Sequence, residues 1–335
     1  MTIIYFILVL SITVCVHEFG HFLFAKKAGI YVYEFSIGMG PRLFKFNRKN
    51  DETDYSIRLL PIGGYVQLSG ESIEVDENIP EEKRMQSKTW KQRFLTIIAG
   101  VMFNFIFAFI IFFIFGLVKG NNIGSVVIDQ VPEDGSAYKM NLKSGMVVTK
   151  INGVKVNNQD RFLLEYQISY GKTLELTTML DGKEEVINIP FEDNYGFTLK
   201  ENIKYGFFEA IKYAFLKFIS LVEQMFLIIF YLITGDLKLN ALSGPVGIYN
   251  IVGESAKIGL IYVIYLMGYL SLNVGFINLL PIPAFDGGRI LFMLIEKVRK
   301  KPLNPKVENT IHSIGFILLM VLMIIITFND ITRFR

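Results

Sequence analysis

Three side chains near the N-terminus have the types and spacing of a metallohydrolase centre. In VCVHEFGHFLFAKKAG, Val14 to Gly29, His17 and His21 stand four residues apart with Glu18 beside the first. On a helix, positions i and i+4 share a face. Two imidazoles so placed can bind one zinc ion, with the adjacent glutamate as general base for a hydrolytic water. The pattern is short, and a pair of interior histidines bonded to neighbouring helices would read the same. The surroundings favour chemistry: the cluster interrupts an apolar run, where ionisable groups are costly and mark function by default.

A catalytic zinc centre takes three protein ligands and keeps one position open. Cys15 is the single cysteine, so the chain has neither an internal disulfide nor a cysteine-rich zinc site. The third ligand is then His312, the remaining histidine, or a carboxylate. Asp286 is the carboxylate that stands out, in SLNVGFINLLPIPAFDGGRILFMLIEK, after Pro281 and Pro283 and before Gly287 and Gly288. It also suits the cap of a helix beginning near Gly287. His312 better suits packing or hydrogen bonding near a helix end.

The elements that must position these residues are membrane helices. Hydrophobic residues make up 52% of the 335 and charged residues 19%, against about a quarter charged in soluble domains. Four apolar segments approach the ~20 residues of a span: Thr2 to Ala25, Phe94 to Val118, Ile258 to Leu280, and Ile311 to Phe328. The first lacks a basic leader and a cleavage site, so it reads as a retained helix. Asn104 lies in the second; Ser271, Asn273 and Asn278 lie in the third. Asn104 and Asn273 read as polar packing groups.

Between the first two spans, YEFSIGMGPRLFKF and DYSIRLLPIGGYVQLSGE alternate like strands, and VDENIPEEKRMQSK reads as a solvated loop. This interval, from Lys26 to Arg93, and the one from Arg289 to Lys306 are rich in Lys and Arg. The positive-inside rule places both in the cytoplasm. Four spans then put both termini and residues 119–257 outside, mildly opposed by Arg333 and Arg335. Residues 122–192 alternate short strands and helices, as a small α+β domain does. Lys204 to Thr234 is a helical, mostly apolar stretch interrupted by Glu209, Lys212, Lys217 and Glu223. It reads as a helix lying at the membrane interface, with a fifth span as the competing arrangement. The net charge of +3 gives no reason to expect a nucleic-acid partner.

Together these segments resemble the site-2 proteases, intramembrane zinc metalloproteases, in the bacterial regulator-of-sigma-factor type with a single PDZ domain. HEFGH (17–21) matches that family's HExxH. NLLPIPAFDGG (278–288) matches its second signature, with Phe285 where Leu is usual. PIGGYVQLSGE (61–71) resembles a family loop, and RFLTIIAGVMFNF (93–105) its second span, with Val101 where Pro is common. The resemblance implies His17, His21 and Asp286 as zinc ligands, Glu18 as catalytic base, and Asn278 as a substrate-binding residue. It implies that YEFSIGMGPRLFKF forms a membrane-dipping β-hairpin whose edge receives the substrate strand. It implies a PDZ domain in which NIGSVV (122–127) either captures a peptide or belongs to a spacer or size filter.

The expected fold class is an α-helical polytopic membrane protein with four transmembrane helices, a membrane-associated β-hairpin and an inserted α+β PDZ domain. Its expected parts are residues 1–118, the N-terminal half of the membrane protease; 119–200, the PDZ domain; 201–257, an amphipathic interfacial helix and linker; and 258–335, the C-terminal half. The resemblance implies a multi-pass protein of the bacterial inner (cell) membrane. The active site faces the cytoplasm and the PDZ domain lies outside. The expected partners are transmembrane protein substrates of the anti-sigma-factor or remnant-signal-peptide type, the bilayer, and a PDZ peptide ligand. A catalytically inactive PDZ scaffold and a metal-ion transporter are the rival classes. An intact set of four site residues opposes the first, and the lack of an inverted repeat opposes the second.

Overall fold

A computed structural model describes residues 1–49, 51–70, 78–191, 196–200, 203–238, 241–301 and 303–333. The chain forms two compact units, Met1–Ile111 with Leu239–Arg335, and Phe112–Lys238. Among the described residues the architecture is mainly helical, with five helices long and apolar enough to cross a membrane.

The first unit begins with α1 (Thr2–Lys27), which carries the HEFGH cluster. Strands β1 (Val32–Asn47) and β2 (Asp54–Leu68) follow, then α2 (Trp90–Lys119), whose first part belongs to this unit. The hairpin expected within YEFSIGMGPRLFKF is not the one formed: both halves of that stretch pair with β2 and not with each other, so the hairpin is β1 with β2. The first half of β1 pairs with β2 on both sides, Glu34 opposing both Asp54 and Gln67. The lateral order is therefore 42–47, 54–58, 32–37, 64–68. Glu34 ties all four segments together. Its buried carboxylate accepts hydrogen bonds from Ser56, from Tyr65 Oη at 2.8 Å, from Arg58 Nη2 at 2.8 and 2.9 Å, and from Arg42 Nη2 at 2.9 Å. Burial pushes this carboxyl up, but the Ser56, Tyr65 and arginine hydrogen bonds outweigh it and bring the pKa to about 2. The sheet exposes Ile37, Met39, Leu43, Phe44, Phe46, Ile57, Leu59 and Leu60.

The segment after β2 is largely the solvated loop expected, pinned by the buried side chains of Ile79 and Met85. Residues 75–77 of that expectation lie outside the described residues. Short turns at Glu81–Lys83 and Met85–Ser87 follow. Met85 is buried in a core with Ala25, Ile30, Val32, Leu68, Ile97, Ile290 and Met293. This apolar cluster joins the end of α1, the hairpin and the start of α2 to a later helix that carries Ile290 and Met293.

After the second unit the chain returns as α6 (Pro245–Ile258) and α7 (Leu260–Leu279), separated by Gly259, so the third apolar segment starts two residues later than expected. Helices α8 (Asp286–Arg299) and α9 (Pro305–Arg333) complete the unit. Pro245 has no N–H and the α6 cap residue, Gly244, has no side chain. A remote residue supplies the cap: the buried Asp330 carboxylate near the end of α9 accepts from Gly244 N at 2.9 Å and Gly247 N at 2.7 Å. An anion there satisfies orphan amides and the helix dipole together.

The second unit contains α+β structure, as expected for 122–192. It comprises β3 (Val126–Val127), α3 (Ser136–Lys139), β4 (Val147–Ile151), β5 (Val154–Lys155), α4 (Gln159–Ile168), β6 (Thr173–Leu180) and β7 (Lys183–Pro190). The sheet runs β3-β4-β6-β7, with β5 also on β4, and all these pairs are antiparallel. Its core holds Ile128, Leu142, Met146, Ile151, Phe162, Leu174, Leu176 and Ile189. Residues 192–195, 201–202 and 239–240, within the expected parts 119–200 and 201–257, lie outside the described residues. Helix α5 (Phe207–Thr234) ends this unit.

Candidate metal centre

Helix α1 carries His17 and His21 on one face, as their spacing requires. Their Nε2 atoms lie 3.1 Å apart. The rings meet edge to face, with centroids 4.7 Å apart. Asp286 enters from the other end of the sequence. Its Oδ2 lies 3.2 Å from His17 Nε2 and 3.3 Å from His21 Nε2.

Tetrahedral zinc with bonds near 2.0–2.1 Å separates its donors by about 3.3–3.4 Å. Three potential donor atoms 3.1–3.3 Å apart match that spacing. Asp286 Oδ2 is buried and has no hydrogen-bond partner among the described residues. An orphaned carboxylate oxygen held against two imidazole nitrogens is the signature of a centre built for a cation. His17, His21 and Asp286 are the one group of three such side chains able to hold a metal among the described residues.

The imidazoles are fixed from behind by α2. His21 Nδ1 lies 2.8 Å from the Thr96 carbonyl. That oxygen can only accept, so Nδ1 carries the proton and Nε2 the lone pair. His17 Nδ1 lies 3.3 Å from the side-chain amide of Asn104, which is fully buried. The nearer amide atom is Nδ2; for His17 Nε2 to offer a lone pair, Nδ1–H must donate, which requires the Asn104 amide to be turned over so that Oδ1 faces it. Ser271 Oγ lies 3.1 Å from the Asn104 backbone carbonyl, to which it donates, and 3.2 Å from Asn104 Oδ1. Thr96, Gly100 and Asn104 follow at i, i+4 and i+8, so one stripe of α2 faces the histidines. The middle position has to be glycine: a Cβ there would lie 2.3 Å from His21 Nε2. The helices approach as closely at Gly20, whose added Cβ would lie 2.4 Å from Ala99 O.

Asn104 and Gly100 were not legible as site residues in the sequence. A lone asparagine or glycine in an apolar span looks like any packing position. Their i, i+4, i+8 relation to Thr96 is the signal available in hindsight, and it has meaning only once α2 is known to face α1.

Glu18 points toward the hairpin, and its Oε2 accepts from Val66 N at 3.1 Å. Cys15, two turns from His21, sits against Gly63 O at 3.7 Å, a weak sulfur contact.

The chain delivers Asp286 through a tight loop. Ile282 N donates to Leu280 O at 2.7 Å and Phe285 N to Ile282 O at 3.2 Å. Ala284 has φ +85°, a left-handed conformation that costs a non-glycine residue about 1–3 kcal/mol and persists where its surroundings impose it. Phe285 takes the cap position of α8 and Asp286 is its first residue. The expected alternative, that Asp286 itself is the cap, is not what the helix does. Gly287 permits the winding, since a Cβ would lie 2.2 Å from Leu280 O.

These residues line one cavity of about 560 Å³. His17, Glu18, His21, Asp286, Asn278 and His312 all border it. His312 is not within the metal-donor group. Its Nδ1 accepts from Ala284 N at 3.0 Å.

The model of Peptidase family M50 matches residues 5–322. The chain is 32% identical to zinc metalloprotease RasP of Shouchella clausii, with 99% of both chains covered. It is 34% identical to a putative zinc metalloprotease of Clostridium perfringens, covering 99% of this chain and 98% of that one. It is 30% identical to regulator of sigma-W protease RasP of Bacillus subtilis, with the same coverage.

Proposed function

Because the chain belongs to peptidase family M50, we propose that its cavity hydrolyses peptide bonds within or near transmembrane segments of single-span membrane proteins. The protein is a zinc metallopeptidase and a multi-pass membrane protein. The observation that carries the site assignment is the convergence of His17 Nε2, His21 Nε2 and Asp286 Oδ2 within 3.3 Å of one another. These three residues hold the zinc and Glu18 is the base. When bound, the zinc supplies Lewis acidity, lowering the pKa of a water to about 7 and polarising the scissile carbonyl.

The protein's own groups do the rest. Thr96 O and the Asn104 amide hold the imidazoles in the tautomer that presents Nε2. The Val66 amide restrains one Glu18 oxygen. Glu18 accepts a proton from the attacking water and returns it to the leaving amine. Asn278, at the end of α7 and on the cavity wall, donates to the substrate backbone. Strand 64–68 borders the cavity through Val66 and Leu68 and receives the unwound substrate segment as an added strand. The Bacillus subtilis relative's name, regulator of sigma-W protease, supports an anti-sigma-factor type of substrate, with remnant signal peptides as a second type.

Four spans, α1, α2, α7 and α9, fit this function, with α5 at the outer interface. Helix α5 keeps its polar side against α4: Lys217 Nζ bonds Asp160 at 2.6 Å, Ser220 Oγ donates to Asp160 at 2.9 Å, and Tyr231 Oη donates to Glu165 at 2.9 Å. Phe208, Phe215, Ile219, Phe226, Phe230 and Ile233 are exposed along the other side. A spanning α5 would drag α4, with Asp160, Arg161 and Glu165, into hydrocarbon, where such groups are expensive. An interfacial α5 buries its aromatic stripe and leaves α4 in water. The 119–200 part is then an extracytoplasmic PDZ domain, and the cavity opens to the cytoplasm of a bacterial cell.

The test is cleavage of a single-span model substrate by the purified protein in detergent, with the cut site mapped by mass spectrometry. Cleavage inside the span, abolished by a zinc chelator and restored by zinc, is the expected result. Cleavage only in the soluble flanks contradicts the proposed substrate class.

A further inference from the structure

Helix α9 reaches the loop that carries Asp286 and grips it at two points one turn apart. At Gly315 the backbones approach so closely that a Cβ would lie 2.5 Å from Pro283 O. At His312 the imidazole Nδ1 accepts the Ala284 N–H at 3.0 Å. Ala284 is the residue held at φ +85°, two positions before Asp286. The other face of the imidazole is set by Phe292 of α8, edge to face with centroids 5.3 Å apart.

A neutral imidazole that accepts at Nδ1 carries its proton at Nε2. His312 Nε2 is buried and has no hydrogen-bond partner among the described residues. In this tautomer Nε2 has no lone pair to offer a metal, so the residue acts through Nδ1. Apolar side chains could fill the space between α8 and α9, yet only a group with an acceptor in this place can hold the Ala284 amide. That amide is in a conformation the backbone would leave if released.

We propose that His312 is a positioning residue for the metal centre: through the Ala284 N–H it holds the left-handed turn that aims the Asp286 carboxylate at His17 and His21. The proposal rests on the assignment of Asp286 as the third zinc ligand. It gives the last span a task in catalysis, since α9 itself contributes no metal ligand.

The experiment compares zinc release into a chromogenic chelator for the parent, His312→Leu, His312→Asn, His312→Gln and Asp286→Ala, with thermal midpoints of the zinc-free proteins alongside. Asn places an oxygen near the Nδ1 position, and Gln places it one bond further out. His312→Leu and His312→Gln should hold zinc less tightly, by up to about the 10–100-fold seen when a metal ligand's own partner is lost, read here as faster release. His312→Asn should stay near the parent, and the zinc-free midpoints of His312→Leu and His312→Gln should fall by no more than the loss of one hydrogen bond costs. Parent-like zinc release in both His312→Leu and His312→Gln, while Asp286→Ala fails to hold zinc, overturns the positioning role alone. Lowered midpoints with unchanged zinc release mean that His312 only packs, which also overturns it. If His312→Leu does not fold, the Asn and Gln pair decides: equal release rates refute the proposal. If Asp286→Ala keeps parent zinc affinity, the ligand assignment fails first, whatever His312 does.

Discussion

At Gly100 there is no room for a methyl group, because the space is taken by His21 Nε2 and His17 Cε1. Gly100→Ala should therefore hold less zinc and cleave more slowly than the parent, with the overpacking itself costing about 1–3 kcal/mol. Asn104→Ala removes the partner of His17 Nδ1 and should weaken zinc binding ~10–100-fold, as read by competition with a metal indicator. Parent-like affinity in both would show that α2 does not order the ligands. The HEFGH cluster was legible in the sequence because its geometry is local: four residues on a helix fix the relation of two side chains. Asp286 stood out ahead of His312 by the residues themselves but was not separable from a helix cap; the family resemblance selected it as a ligand. Asn104, Gly100 and the Ala284–His312 bond were not legible, since each depends on which helix faces which.

Among the elements, the hairpin carries the clearest electrostatic signature. Glu34 is held at about 2 against the burial that would raise it. An unfolded glutamate titrates near 4.3, so the folded pKa is depressed. The stabilisation is then complete above roughly pH 4.3 and is lost as pH falls toward 2. Hydrogen exchange in residues 32–47 and 54–68, corrected for intrinsic rates, should show constant protection from pH 8 to 5 and a decline only below about 4. Loosening between pH 7 and 5 would mean that some other group governs the hairpin. Glu34→Gln should weaken protection across the whole range, because Arg42 and Arg58 lose their shared anion. The strand pattern of this region was readable from alternation. The double pairing of β1 was not, because register between distant segments is set by contacts such as Glu34 with Arg58 and Tyr65, not by local propensity.

For the whole molecule, the number of spans turns on α5. Length and composition alone allow α5 to cross, and the choice between crossing and lying flat lies in its pairing with α4. Single cysteines at 208, 219 and 233, in a Cys15→Ser background, should report similar shallow depths to membrane-embedded quenchers. A crossing helix would put 208 and 233 on opposite sides, with 219 near the midplane. The central claim is that this chain is a hydrolase whose zinc sits on His17, His21 and Asp286 and whose base is Glu18. The most direct measurement is zinc content together with cleavage of a single-span substrate, for the parent and for Glu18→Gln. The account predicts one zinc per chain in both, with cleavage reduced about 10²–10⁴-fold in the variant. Equal cleavage by the two proteins, or a parent that cleaves without zinc, would contradict it.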